Sequence, residues 1–211
     1  MKVSLLFFGQ PRFLDRDETS GSHYEYIIWK YFTDIFVHAW WSRDLDMYTP
    51  SPWSSAKNIP CDRYTIKKIT DIYEPKYSVY ECPITFSDDL YINNAKSQFY
   101  SIKRVGEIFQ DYTDPNEYDF IILSRFDNII TSFPDLNELD KGVYKMEDHP
   151  GVPDQLFILS PEYLPFLNAY DAFDEIWPTV DGIEATKQEY FFRTFPGENI
   201  KPSKFTINLA R

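Results

Sequence analysis

The sequence predicts an α/β fold with a central, mostly parallel mixed sheet flanked by helices, and three features carry that prediction. Short runs of strand-type residues alternate with segments of helical period along most of the 211 residues. The apolar run Phe120-Ile121-Ile122-Leu123 breaks directly into Ser124-Arg125-Phe126-Asp127 before apolar character returns at Ile129-Ile130, as a buried strand does where it meets polar surroundings. Two other runs end the same way: Val3 to Phe8 stops at Gly9-Gln10-Pro11-Arg12, and Asp34 to Val37 stops at His38-Ala39-Trp40-Trp41. In an open α/β sheet, ligands bind outside the carboxyl ends of the parallel strands, so these polar exits are expected to meet at one crevice.

The remaining elements follow in chain order. Asp15 to Ser22 is polar and reads as a loop, while Tyr24, Ile27, Ile28 and Tyr31 recur at helical spacing and complete a β-α-β unit with the Asp34 strand. Thr49 to Pro60 is a polar, Pro-containing connection. Ile66, Ile69, Ile72 and Tyr73 mark an amphipathic helix, and Tyr77 to Tyr80 a third strand. From Asn93 to Tyr112, Ala95, Phe99, Ile102, Gly106 and Phe109 share one helix face. Asn94, Ser97, Gln98, Ser101 and Arg104 form a neighbouring polar stripe, either solvated or turned into the crevice. Beyond Asp127 come a short strand at Gly142 to Met146, the turn Glu147-Asp148-His149-Pro150-Gly151, and a strand from Asp154 to Ser160. Helices are expected over Pro161 to Trp177 and Gly182 to Phe195, and a closing strand over Phe205 to Leu209.

Composition narrows the function. A net charge of -12 opposes general binding to nucleic acid or to anionic membranes, both of which need accumulated Lys and Arg. No apolar run reaches membrane-spanning length, and Lys2 followed by Val3 to Phe8 is too short and too strand-like for a signal peptide, so neither membrane insertion nor export is expected. The expected location is the cytoplasm. Aromatic residues at 18% fill a core, and some are free to stack on flat rings or sugar faces. Cys61 and Cys82 lack the spacing of a disulfide framework or a zinc site. With no linker of biased composition, one domain is expected over residues 1–211.

Familiar signatures are absent: no GxGxxG after the first strand, no GxxxxGK[ST], no HExxH and no GxSxG. What remains is Asp127 with Arg125 two residues before it, on one side of an extended segment. A carboxylate there suits Mg²⁺ or Mn²⁺, which take one or two protein carboxylates and complete their shell with water and phosphate oxygens. The competing reading is a structural ion pair. Arg12 follows Gly9, which permits close backbone approach, and Pro11, which fixes the exit direction; it is either a diphosphate clamp or a surface residue after a turn. His38 is either a ligand contact or a satisfied core histidine.

Together, Gly9-Gln10-Pro11-Arg12, Asp34 to Trp40, Gln98-Phe99-Tyr100-Ser101-Ile102, Tyr118 to Asp127 and Asp154-Gln155-Leu156-Phe157 resemble, in this order, GT-A-type glycosyltransferases of bacterial surface-polysaccharide clusters and large DNA viruses. The resemblance extends in particular to the capsid-glycan glycosyltransferase domain of chlorella viruses. It implies a single GT-A-like, Rossmann-like domain that moves a sugar from a UDP-sugar to a carbohydrate acceptor, with Mn²⁺ or Mg²⁺ bridging the diphosphate. Arg125-Phe126-Asp127 takes the place of the family's Asp-X-Asp motif. Arg stands at its first position, which leaves Asp127 as the metal ligand.

On that resemblance the donor is expected to contact Gly9, Gln10, Pro11, Arg12, His38, Ser97, Ser101 and Arg125. Asp154-Gln155 is similar to an Asp-Gln element that contacts donor sugar or acceptor in some retaining enzymes of this type, the alternative being a strand-entry cap. Asp154 is the expected carboxylate nearest the reacting carbon, and Glu189 a reserve acid or base. A sugar nucleotidyltransferase and a non-catalytic carbohydrate-binding or interaction protein remain the other classes. At 211 residues the chain is small for such an enzyme with its own acceptor-binding region, and is compatible with the N-terminal part of a longer polypeptide.

Overall fold

The computed structural model describes residues 1–47, 60–149, 151–153 and 155–210. The chain opens with strand β1 (Lys2–Gly9), helix α1 (Asp17–His23) and a π-helical turn (Tyr24–Ile28), followed by β2 (Phe32–Trp40), α2 (Thr65–Tyr73) and β3 (Tyr77–Glu81). The long helix α3 (Leu90–Tyr112) then leads into β4 (Phe120–Arg125), β5 (Asn128–Ser132), β6 (Val143–Met146) and β7 (Leu156–Leu159). A 3-10 helix (Pro161–Ala172), α4 (Phe173–Ile176), α5 (Gly182–Thr194), β8 (Ile200–Ser203) and β9 (Thr206–Leu209) complete the described chain.

Seven strands form one sheet in the order β3-β2-β1-β4-β7-β6-β8, and β5 pairs with β9 in a separate two-stranded sheet. Within the large sheet every pairing is parallel except those of β7, which runs antiparallel to both β4 and β6. The fold is therefore the expected mixed, mostly parallel α/β sheet with helices on both faces.

The continuous apolar runs of β1 and β4 reflect burial on both sides. Val3, Leu5 and Phe7 pack with Ile35, Val37 and Ile122 beneath Ile27, Ile69, Tyr73 and Ile130. Leu6, Phe8, Phe36, Ile121 and Leu123 face the other way, against Ile102, Val105 and Phe109 of α3, Leu164 and Leu167 of the 3-10 helix, and Phe191 of α5. Each such side chain removed from water contributes about 1.5–3 kcal/mol.

Several elements depart from their predicted form for identifiable reasons. Asp15 to Ser22 is not a loop: α1 occupies most of it, because its inward face is polar. Ser22 Oγ donates to Thr19 O (2.8 Å) and accepts from Ile130 N (3.0 Å), so hydroxyls do there what apolar side chains do elsewhere. α3 starts before Asn93 because Asp89 caps it, accepting from Tyr91 N (2.8 Å) and Ile92 N (3.0 Å). Leu164, Leu167, Tyr170 and Phe173 recur every three residues, the period of a 3-10 helix, and Pro165 lacks the N–H that an α-helix would use. The closing segment contains two strands; Pro202 obscures β8, which lies at the sheet edge where proline is tolerated. The Thr49–Pro60 connection lies outside the described residues except for Pro60, and so does Asp154. Among the described residues, no helix is long and apolar enough to cross a membrane.

Candidate functional site

The parallel pairing of β1 with β4 sets Phe8 opposite Arg125, so both strands deliver polar residues to the same edge of the sheet. Immediately after β1 the backbone turns sharply. Gly9 (φ 93°) and Phe13 (φ 58°) adopt left-handed conformations on either side of Gln10-Pro11-Arg12, and Arg12 N donates to Gln10 O at 2.9 Å. An L side chain at Gly9 would meet no neighbouring atom yet would be strained by its φ, which explains glycine there. The cleft above this edge encloses ≈ 720 Å³ when the open solvent at its mouth is included. Phe8, Gly9, Gln10, Arg12, Trp40 and Arg125 line it from the sheet, Tyr91, Asn94, Ser97 and Gln98 from α3, and Ile183 from α5.

Both charged residues among the described lining are arginines. Arg12 is only 9% exposed and donates through Nη2 to the Gln10 side-chain carbonyl. Arg125 grips Asp127 bidentately, Nε to Oδ1 at 2.8 Å and Nη2 to Oδ2 at 2.6 Å. This two-point geometry matches a planar guanidinium to a carboxylate and fixes the orientation of both. Behind the pair, His23 is fully buried against Phe7 and Tyr73, its Nδ1 2.9 Å from the Tyr73 hydroxyl. Burial pushes its pKa down to about 3 although the Asp127 charge pulls the other way.

Asp127 is the expected metal ligand, but both of its oxygens accept from Arg125, and a divalent cation there would stand against a guanidinium. Among the described residues, no group of three or more His, Cys, Asp or Glu comes together to hold a metal ion. A divalent cation at Asp127 would therefore require the Arg125–Asp127 pair to open.

His38 and Ser101 are not among the residues that line the cleft. Both are fully buried beneath the cleft floor, because β2 continues through Trp40 rather than ending at Val37. Ser101 Oγ accepts from Gly9 N at 2.7 Å and lies 2.7 Å from His38 Nδ1. The far side of the His38 ring faces Glu81 at 3.7 Å, and Glu81 accepts from the Tyr100 hydroxyl (2.9 Å) and from Arg104 Nε (3.0 Å). His38, Tyr100 and Arg104 hold the Glu81 carboxyl down to about 2 against its burial, while burial lowers the pKa of His38. These groups support the Gly9 turn from below.

The polar stripe of α3 therefore divides along the helix. Asn94, Ser97 and Gln98 reach the cleft. Ser101 and Arg104, further down at 1.5 Å of rise per residue, sit below the sheet edge. Pro11 is buried in the turn rather than counted among the lining. Gln155 is tied in through its backbone, its carbonyl accepting from Arg125 N (3.0 Å) and Asn128 Nδ2 (2.8 Å).

Glu189 does not line the cleft either. It accepts from Arg193 Nε at 2.8 Å, and Arg193 in turn pairs with Glu175, in an exposed cluster. Six residues beyond Ile183, Glu189 lies roughly 240° around the helix from the face that lines the cleft. Tyr91 and Ile183 are lining residues that sequence reading missed, since an isolated aromatic or aliphatic in a helix's first turn carries no signal of its own.

No protein-family model and no curated protein matches the sequence. Among solved structures, the chain is similar to a glycosyltransferase involved in the glycosylation of the major capsid of PBCV-1, with a TM-score of 0.46 and 12% identity, covering 95% of this chain and 81% of that one. It is also similar to the apo form of the glycosyltransferase GlyE of Streptococcus pneumoniae TIGR4, with a TM-score of 0.44 and 11% identity, covering 94% of this chain and 44% of that one. The chain thus spans under half the length of the pneumococcal protein's chain.

Proposed function

We propose that this chain is a GT-A-type glycosyltransferase that takes a sugar from a UDP-linked donor and passes it to a carbohydrate acceptor in surface or capsid glycan synthesis. One observation carries the reading: two guanidiniums, Arg12 and Arg125, converge on a cleft at the carboxyl ends of adjacent parallel strands. A protein of net charge -12 needs such a local positive pair to hold a diphosphate. The amides of Gln10, Asn94 and Gln98 and the ring of Tyr91 supply hydrogen bonds and a stacking face of the kind a nucleoside requires. The resemblance of five ordered sequence segments to this enzyme type supports the same reading.

In the proposed reaction, the bond between the sugar C1 and the β-phosphate oxygen breaks, and its electrons pass to the leaving diphosphate. Arg12 and Arg125 stabilise that developing charge. The acceptor hydroxyl bonds to C1 and loses its proton to a base. Asp154, outside the described residues, is proposed as the carboxylate nearest C1. Mn²⁺ or Mg²⁺ is proposed on the sequence resemblance alone and forms a separate arm of the test.

The test is incubation with a panel of UDP-sugars, in EDTA and in Mn²⁺, with release of UDP followed. Glycosyl transfer, or donor hydrolysis without acceptor, yields UDP. A nucleotidyltransferase would instead release pyrophosphate from UTP and a sugar phosphate, and a carbohydrate-binding protein would do neither; either result overturns the proposal.

A further inference from the structure

Beneath the Gly9 turn, a chain of polar atoms joins β1, α3, β2 and β3. Gly9 N, at the end of β1, donates to Ser101 Oγ of α3 at 2.7 Å, and the same oxygen lies 2.7 Å from His38 Nδ1 of β2. The other ring nitrogen, His38 Nε2, has no hydrogen-bond partner among the described residues and faces Glu81 Oε2, at the end of β3, across 3.7 Å. Ser101 and His38 are fully buried, so each hydrogen in the chain must find an acceptor within the protein or go without one.

The direction of the chain follows from the hydrogens available. Ser101 Oγ already accepts from Gly9 N, and among the described residues the acceptor for its own proton is His38 Nδ1. Burial keeps the imidazole neutral, so with Nδ1 bare its one proton sits on Nε2, the nitrogen turned to Glu81. In the opposite tautomer Ser101 Oγ would face two donors, and its own proton would have no acceptor. The gap to Glu81 is too long for a hydrogen bond, yet the carboxylate's charge still favours a proton on Nε2 over one on Nδ1. Trp40 and Tyr100 pack edge-on against the imidazole, with centroids 5.0 and 6.0 Å away, and hold its plane. The Tyr100 hydroxyl and Arg104 Nε hold the Glu81 carboxylate in turn.

We infer that Glu81 is a positioning residue for the turn over residues 9–12: it sets the His38 tautomer, His38 orients the Ser101 hydroxyl, and Ser101 fixes the Gly9 amide. The inference rests on the diphosphate reading of the cleft. Gly9 holds φ at 93°, and Arg12 N closes the turn on Gln10 O, so the direction in which Arg12 leaves the sheet depends on the plane of the Gly9 amide. Glu81 itself does not line the cleft. Its loss should therefore weaken the phosphate contact and leave the nucleoside contacts as they are.

The experiment compares wild type with Glu81→Gln by the NMR shifts of the His38 ring nitrogens, hydrogen exchange of the Gly9 amide, and calorimetric affinity for UDP and uridine in EDTA. In wild type the His38 proton is expected on Nε2; a proton on Nδ1 overturns the inference. Glu81→Gln should move part of the ring population to the Nδ1 tautomer, speed Gly9 exchange and weaken UDP about tenfold, the scale of one hydrogen bond, with uridine unchanged. Unchanged Gly9 exchange, unchanged UDP affinity, or equal losses for UDP and uridine overturn it. In a Ser101→Ala background, where the chain to Gly9 is cut, the same substitution should weaken UDP no further, and an undiminished effect there overturns the inference too. If Glu81→Gln does not fold, Glu81→Asp, which draws the charge back by one methylene, must show the same changes in smaller measure, and their absence overturns it equally. If wild type binds no UDP, the reading of the cleft fails, and the His38 tautomer and Gly9 exchange then decide whether Glu81 governs the turn.

Discussion

Arg125 and Asp127 face each other across a single turn of chain and exchange two hydrogen bonds, at 2.8 and 2.6 Å. The carboxylate is nearly buried while the guanidinium lines the cleft. Asp127 therefore fixes the plane of a guanidinium that lines the cleft. Ala210 N donates to Asp127 O at 2.8 Å, so the end of β9 also fastens this residue.

Asp127→Asn is accordingly expected to act through Arg125. Replacing the carboxylate should destabilise the fold by about 1–3 kcal/mol and weaken UDP binding in EDTA, because the fork loses its charged partner. Urea unfolding and calorimetry measure the two effects. UDP binding that appears only with Mn²⁺ in wild type, and vanishes in the variant without loss of stability, would return Asp127 to the role of metal ligand.

Arg12→Ala should separate phosphate from nucleoside. UDP is expected to bind about 1.5–3 kcal/mol more weakly, the worth of a hydrogen bond to a charged group, with uridine little affected. Lys at this position should recover only part, since it lacks the planar fork. Equal losses for UDP and uridine would mean that Arg12 acts only by shaping the turn.

Ser101→Ala tests the support beneath Gly9. The Gly9 N–H would lose its acceptor in a buried place, at a cost of about 1–3 kcal/mol in stability. The loss should appear in thermal or urea unfolding. A large drop in UDP affinity at unchanged stability would instead make Ser101 a ligand contact.

Acid should destabilise the protein in two windows. His23 is neutral when folded, with its pKa pushed from 6.5 to about 3, so the unfolded chain takes up that proton first. The stability it contributes is complete above 6.5 and is lost as the pH falls from 6.5 towards 3. Glu81, held down from 4.5 to about 2, contributes stability that is present above 4.5 and lost between 4.5 and 2. Unfolding free energies measured across this range should decline from the upper window onward, and His23→Gln should flatten that first decline. A decline of unchanged slope in the variant would assign it to other groups.

The parts of this arrangement visible in the sequence are those set by local pattern. Apolar runs ending in Gly9-Gln10-Pro11-Arg12 and Ser124-Arg125-Phe126-Asp127 located two walls of the cleft, since strand period and turn residues are local signals. Spacing also placed Asn94, Ser97 and Gln98 on one helix face. It did not separate them from Ser101, because depth below the sheet edge depends on how α3 docks on β1 and β2. The depth of His38 follows from where β2 ends, which is set by the pairing of Ala39 and Trp40 and which composition does not reveal. α1 was hidden because hydroxyls line its buried face.

The central claim is that the cleft between Arg12 and Arg125 holds a nucleoside diphosphate, and titration calorimetry of UDP and uridine into the wild-type protein in EDTA tests it most directly. UDP is expected to bind and uridine to bind more weakly by about 1.5–3 kcal/mol for each guanidinium engaged. Equal affinity for the two, or no UDP binding in either EDTA or Mn²⁺, would contradict it.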